Sequence, residues 1–167
     1  MTNLHVLKRS NKKPQSGDIF AMQIPDGRYL FGRVIESNLS GDLAPMPTSN
    51  LVYVYRVFSD TKSVPLEELT TANLLIPPKF VNRKLWTLGY AETVAHAPVH
   101  TEDRLAQHSF LNIGVGYVDE FGRPLSSKIE PCGVWAMGNH RTLDDEISQA
   151  LSIPLAPPSP GDQDYSS

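Results

Sequence analysis

Two groups of residues in this sequence are of types that could do chemistry. His96 and His100 lie four apart, with Glu102, Asp103 and His108 following. On one helical face that spacing would turn two imidazoles toward a metal ion. Pro98 stands between them and breaks such a helix. No Glu directly follows His96, so the metalloprotease pattern is missing. The stretch reads as a histidine-bearing surface loop, and whether it captures a metal stays open. Cys132 and His140 form the second group, a candidate thiol and imidazole pair. Nucleophilic catalysis needs the base within hydrogen-bond reach of the sulfur. A separation of eight residues neither requires nor forbids that. A lone cysteine between Pro131 and Gly133 is more often packing.

Other catalytic patterns are incomplete. Gly114-Val115-Gly116 lacks the third glycine and the following helix of a dinucleotide fingerprint. No Gly-Lys-Ser or Gly-Lys-Thr occurs, so there is no phosphate loop of that type. Glu67-Glu68 and Asp144-Asp145-Glu146 sit where exposed helix starts expect acids. The chain therefore reads as a non-enzyme with no cofactor and no metal.

Two aromatic sets remain. Tyr53 and Tyr55 share a strand face with Leu51 and Val57; Trp86, Leu88, Tyr90, Glu92 and Val94 share another. Rings on a sheet face can stack bases, usually with Lys and Arg around them. Here only Arg28, Arg33 and Arg56 lie on the early strands. Core packing is the commoner use of such rings, and interface anchoring is a second.

The elements that must position these residues are mostly strands. Fourteen prolines punctuate 167 residues, and proline stops helices and is excluded from central strands. Residues 17–24 and 28–36 read as a hairpin around the Pro25-Asp26-Gly27 turn. Gly32 within it marks a bulge or a close backbone approach. Residues 37–50 form a loop. Residues 51–59 read as a central strand covered on both sides. A helical turn is expected at 65–69 and a short strand at 74–76. A strand is expected over 85–94 and a polar loop over 95–109. Short strands follow at 110–118, 124–129 and 133–137. Leu143, Ile147, Ala150 and Leu151 make one apolar stripe, which predicts a helix capped by Thr142 and stopped by Pro154. The fold class is mainly β (α+β), antiparallel, with one C-terminal amphipathic helix. Closure of the twisted sheet into a barrel stays open.

Charge and composition narrow the class. The formal net charge is −3, with 40% hydrophobic and 20% charged residues. Lys8, Arg9, Lys12 and Lys13 leave the rest of the chain at a net of −7. The expected organisation is a flexible basic arm over 1–13, one domain over 14–153 and a disordered tail over 154–167. One cysteine excludes an internal disulfide. No apolar run approaches membrane-span length and no signal-like segment opens the chain, so a soluble cytoplasmic protein is expected.

Gly17-Asp18-Ile19-Phe20-Ala21, Ile24, Asp26-Gly27, Tyr29 and Phe31-Gly32-Arg33-Val34 resemble the opening of the immunity protein 26 family of bacterial polymorphic toxin systems. The strand 51–59 and the segment Pro77-Pro78, Phe80-Val81-Asn82-Arg83, Leu85-Trp86 and Gly89-Tyr90 are also similar. The resemblance implies a mainly β immunity protein. Such a protein binds a cognate toxin domain and blocks it by steric occlusion, without catalysis. An acidic inhibitor face would then suit a basic toxin. On that reading Trp86, Tyr90 and Tyr55 are candidate anchors, with Arg33, Arg56 and Glu92 as polar partners. The loops 37–50 and 95–109 are candidates for specificity. The alternative is a barrel-like module for RNA or a peptide, using the basic arm. Nothing in the sequence fixes an oligomeric state.

Overall fold

The turn Pro25-Asp26-Gly27 joins strands β1 (Asp18–Gln23) and β2 (Tyr29–Leu39). Gly27 takes φ +90°, a region that glycine enters at no steric cost. The Asp26 carboxylate accepts the Arg28 backbone N–H and its Nε–H, each at 2.9 Å. The strands pair antiparallel from Ile19 opposite Arg33 to Gln23 opposite Tyr29. The register of β2 with β3 (Ser49–Ser59) shifts between Leu30 and Gly32, as a bulge requires. The computed structural model describes residues 1–158.

A six-stranded sheet is completed by β4 (Lys79–Val81), β5 (Glu92–His96) and β9 (Met137–Gly138). Its order is β5-β1-β2-β3-β4-β9 and it does not close. A second sheet has the order β7-β6-β8. It consists of β6 (Ser109–Asn112), β7 (Gly116–Val118) and β8 (Cys132–Val134). Pairing is antiparallel except for β4 with β9 and β6 with β8.

Strand alternation sends apolar side chains to both faces of the large sheet. Phe20, Met22, Leu30, Val52 and Val54 pack on one side. There α1 (Lys84–Thr87) contributes Leu85 and Trp86, and α2 (His140–Ala150) contributes Leu143 and Ile147. Ile19, Phe31, Leu51, Tyr53 and Tyr55 pack on the other side, beneath Phe110 and Val118 of the small sheet. The double coverage expected for residues 51–59 is present.

Several elements differ from expectation. Residues 85–94 are not one strand: Asn82 Oδ1 accepts the Lys84 N–H at 3.0 Å and starts α1, and Gly89 at φ +85° ends it. Residues 110–118 turn at 113–115 into β6 and β7, and 133–137 splits between β8 and β9. Leu74 makes only an isolated bridge to Tyr55. Asn139, not Thr142, caps α2, accepting the Arg141 and Thr142 N–H groups.

The basic segment is also not a solvated arm throughout. Leu4 is buried in the core, and Leu7 N–H and Ser10 N–H donate to the carbonyls of Gly89 and Trp86 at 2.7 and 3.1 Å. The expected tail lies, from residue 159, outside the described residues. Before it, Asn3 Nδ2 donates to the Pro154 carbonyl and Ala156 is buried.

Candidate partner-binding surfaces

Arg33 fastens the connection between β5 and β6 to the large sheet. It is 2% exposed. Its Nη2 donates to the carbonyls of Ala97 and Pro98 at 2.7 and 2.8 Å. Its Nη1 lies 3.5 Å from Asp103 Oδ2, which also accepts the His100 N–H at 2.8 Å. One guanidinium thus serves three points of a single crossing segment, a geometry that its planar fork of donors allows.

Tyr53 holds the next stretch. Its Oη accepts the Leu105 N–H at 3.1 Å and lies 2.5 Å from His108 Nε2. His108 Nδ1 lies 3.2 Å from Glu120 Oε2. The Tyr53 hydroxyl thus links Leu105 to one ring nitrogen of His108, while the other ring nitrogen faces Glu120. Burial pushes the Tyr53 hydroxyl up to about 12 and raises that of Tyr55 further. Both phenols keep their protons at neutral pH, which suits framework better than acid–base work.

The histidines of the 95–109 stretch diverge. His96 Nδ1 pairs with Asp18 Oδ1 at 2.9 Å, His100 begins a single 3-10 turn, and His108 joins Tyr53. Among the described residues no cluster of three or more His, Cys, Asp or Glu could hold a metal ion. The Cys132 thiol contacts Ser109 Oγ and the Gly133 carbonyl, both at 3.5 Å. His140 instead stacks on Tyr90, rings 5.1 Å apart and 2° from parallel.

The six residues named as contacts are not brought together. Arg33 and Tyr55 are interior on one face of the large sheet, and Trp86 is interior on the other, edge-on to Phe20 at 5.3 Å. With both faces of the sheet covered, these three side chains offer a partner no surface. Tyr90 is half-buried against His140. Glu92 is half-buried and pairs with Lys62 at 2.7 Å. Arg56 is exposed.

A surface that sequence reading missed lies where residues 5–13 run beside α1. Lys13 and Arg83 line a pocket of about 180 Å³ with Pro14, Asn38, Thr48 and Asn50. Asn38 and Thr48 take φ +49° and +67°, the latter strained for a β-branched residue. Asn38 N–H donates to Asn50 Oδ1 at 2.9 Å, and Thr48 N–H to the Leu39 carbonyl at 2.8 Å. The basic arm and the adjacent cations Arg83-Lys84 were the sequence signals, and nothing in the spacing tied the two together.

Residues 15–119 of the 167 match the family model described as immunity protein 26. No curated protein and no solved structure matches the chain.

Proposed function

The chain belongs to the immunity protein 26 family, and from that premise we propose that it binds a cognate toxin domain and blocks it by steric occlusion, without catalysis. The family match carries this reading. The matched residues run from the start of β1 through β7. They hold the Arg33 clamp and the Tyr53–His108 pair, which fix the outer loops on a sheet buried on both faces. Occlusion asks for such a preformed surface, because little ordering entropy is then lost on binding.

The test is neutralisation. A candidate toxin domain, sought among the reading frames beside this gene, is expressed under tight control, with and without this chain, and growth is followed. The expected result is rescue, with a stable one-to-one complex on a sizing column. An active toxin that is neither neutralised nor bound would refute the reading.

A further inference from the structure

The fold gathers cations that the sequence keeps about seventy residues apart. His5 N–H donates to Gln23 O, Leu7 N–H to Gly89 O and Ser10 N–H to Trp86 O. Arg83 Nη2 reaches the Asn11 carbonyl at 3.4 Å. These bonds lay the N-terminal segment along α1. Arg9 then lies against Gly89, Lys13 and Arg83 line one pocket, and Lys8, Lys12 and Lys84 are their chain neighbours; all six are exposed. Six of the other cations meet carboxylates: Arg28–Asp26, Arg33–Asp103, Lys62–Glu92, Lys79–Glu146, Arg104–Glu36 and Lys128–Glu130. None of Lys8, Arg9, Lys12, Lys13, Arg83 and Lys84 does so among the described residues.

We propose that this basic strip is the toxin-facing surface, and that it receives an acidic patch of the toxin domain with one carboxylate seated between Lys13 and Arg83. The proposal rests on the immunity reading above. Like charges held together without counter-charge repel one another, and a complementary partner relieves that repulsion. The sign is opposite to the one the net charge of −3 suggests. At contact distance local clustering sets the field, because remote charges are screened beyond about 10 Å.

A protein carboxylate fits better than a nucleic acid. Single-strand binders interleave cations with exposed rings on which bases stack. Here Trp86 is buried and Tyr90 is covered by His140. The pocket, about 180 Å³, holds one small anion and not a run of phosphates. Beside its two cations stand the Asn38 and Thr48 side chains, a polar setting that a carboxylate can enter with its lone pairs satisfied.

The experiment titrates the full chain calorimetrically with the toxin domain identified by the neutralisation test, at low and high salt. The variants are Lys12→Glu/Lys13→Glu, Arg83→Glu and, as the conservative control, Lys12→Arg/Lys13→Arg. Ile113→Asp probes the opposite side of the large sheet, where Ile113 is 77% exposed at the β6–β7 tip. Circular dichroism melts establish that each variant folds. Both charge reversals are expected to weaken binding at least about tenfold and to flatten the salt dependence. The conservative pair and Ile113→Asp are expected to bind as wild type does.

Charge reversals that bind within about twofold of wild type overturn this proposal and leave the immunity reading standing. Loss of binding in Ile113→Asp with the reversals intact does the same. A wild-type chain that does not bind the active toxin domain overturns both. A wild-type chain that binds a single-stranded RNA oligonucleotide as tightly as the toxin domain, with both lost in the reversals, makes the strip a nucleic-acid surface and overturns the proposal.

Discussion

The guanidinium of Arg33 and the carboxylate of Asp103 meet 3.5 Å apart beneath the segment that leaves β5. Arg33→Met keeps much of the volume and removes every donor. The carbonyls of Ala97 and Pro98 and the Asp103 carboxylate then lose their partner. Buried acceptors left unsatisfied cost about 1–3 kcal/mol each where water cannot replace the donor. With partial relaxation, a loss of about 2–4 kcal/mol in urea unfolding is expected. Arg33→Lys should recover little, because one ammonium lacks the fork that reaches three acceptors. Wild-type stability in Arg33→Met would show that the clamp is decorative.

Glu120 gives the fold a component of acid sensitivity. The His108 side chain, 3.2 Å away, is the largest influence holding the carboxyl below its ordinary value of 4.5. A carboxyl depressed in the folded state contributes stability above its unfolded pKa. That contribution is lost as the pH falls from about 4.5 through the folded value. Glu120→Gln should therefore show a shallower fall in stability across that acid range than wild type. Parallel pH–stability curves for the two proteins would exclude the linkage.

Gly32 is a packing requirement. A Cβ there would stand 2.3 Å from Phe20 Cζ and 2.9 Å from the Tyr53 carbonyl oxygen. Phe20 is itself wedged against Trp86, so the ring has little room to yield. Gly32→Ala is expected to cost about 1–3 kcal/mol, the range for overpacked cores. An unchanged thermal midpoint would mean that β1 and β2 move apart without penalty.

This glycine was legible because a lone Gly in a strand of β-branched and aromatic residues has few other uses. The β1–β2 hairpin was legible for a related reason: period-two alternation and turn chemistry agreed. Leu85 to Thr87 misled because a short apolar run fits a buried strand and a helical turn equally well; Asn82 and Gly89 were the deciding signals. The turn at Gly114 was hidden by Ile113 and Val115, aliphatic residues where polar ones are usual. Burial of Arg33 could not be read locally, since its acceptors lie more than sixty residues away. The strip along α1 escaped for the same reason, its two halves being joined only in the folded chain, by backbone hydrogen bonds and the Arg83–Asn11 contact.

The N-terminal segment owes its placement to Leu4 and Asp144. The Asp144 carboxylate accepts the Leu4 N–H at 2.7 Å and the Asn3 N–H at 3.1 Å, while the Leu4 side chain enters the core beside Leu143 and Ile147. Leu4→Ala should cost about 2–4 kcal/mol through lost burial and the cavity left behind. Asp144→Ala should cost about 1–3 kcal/mol by leaving two N–H groups without an acceptor. The sites are neighbours, so the double variant should fall short of the sum. Removal of residues 1–13 should destabilise at least as much as Leu4→Ala, read by urea unfolding. That deletion would lower toxin binding whether the segment acts by its charge or only by its packing. Charge reversal at Lys12 and Lys13, which leaves Leu4 docked, separates the two. A deletion that unfolds at the wild-type urea midpoint would mean that the segment is not docked in solution, and the strip it completes would have no fixed shape.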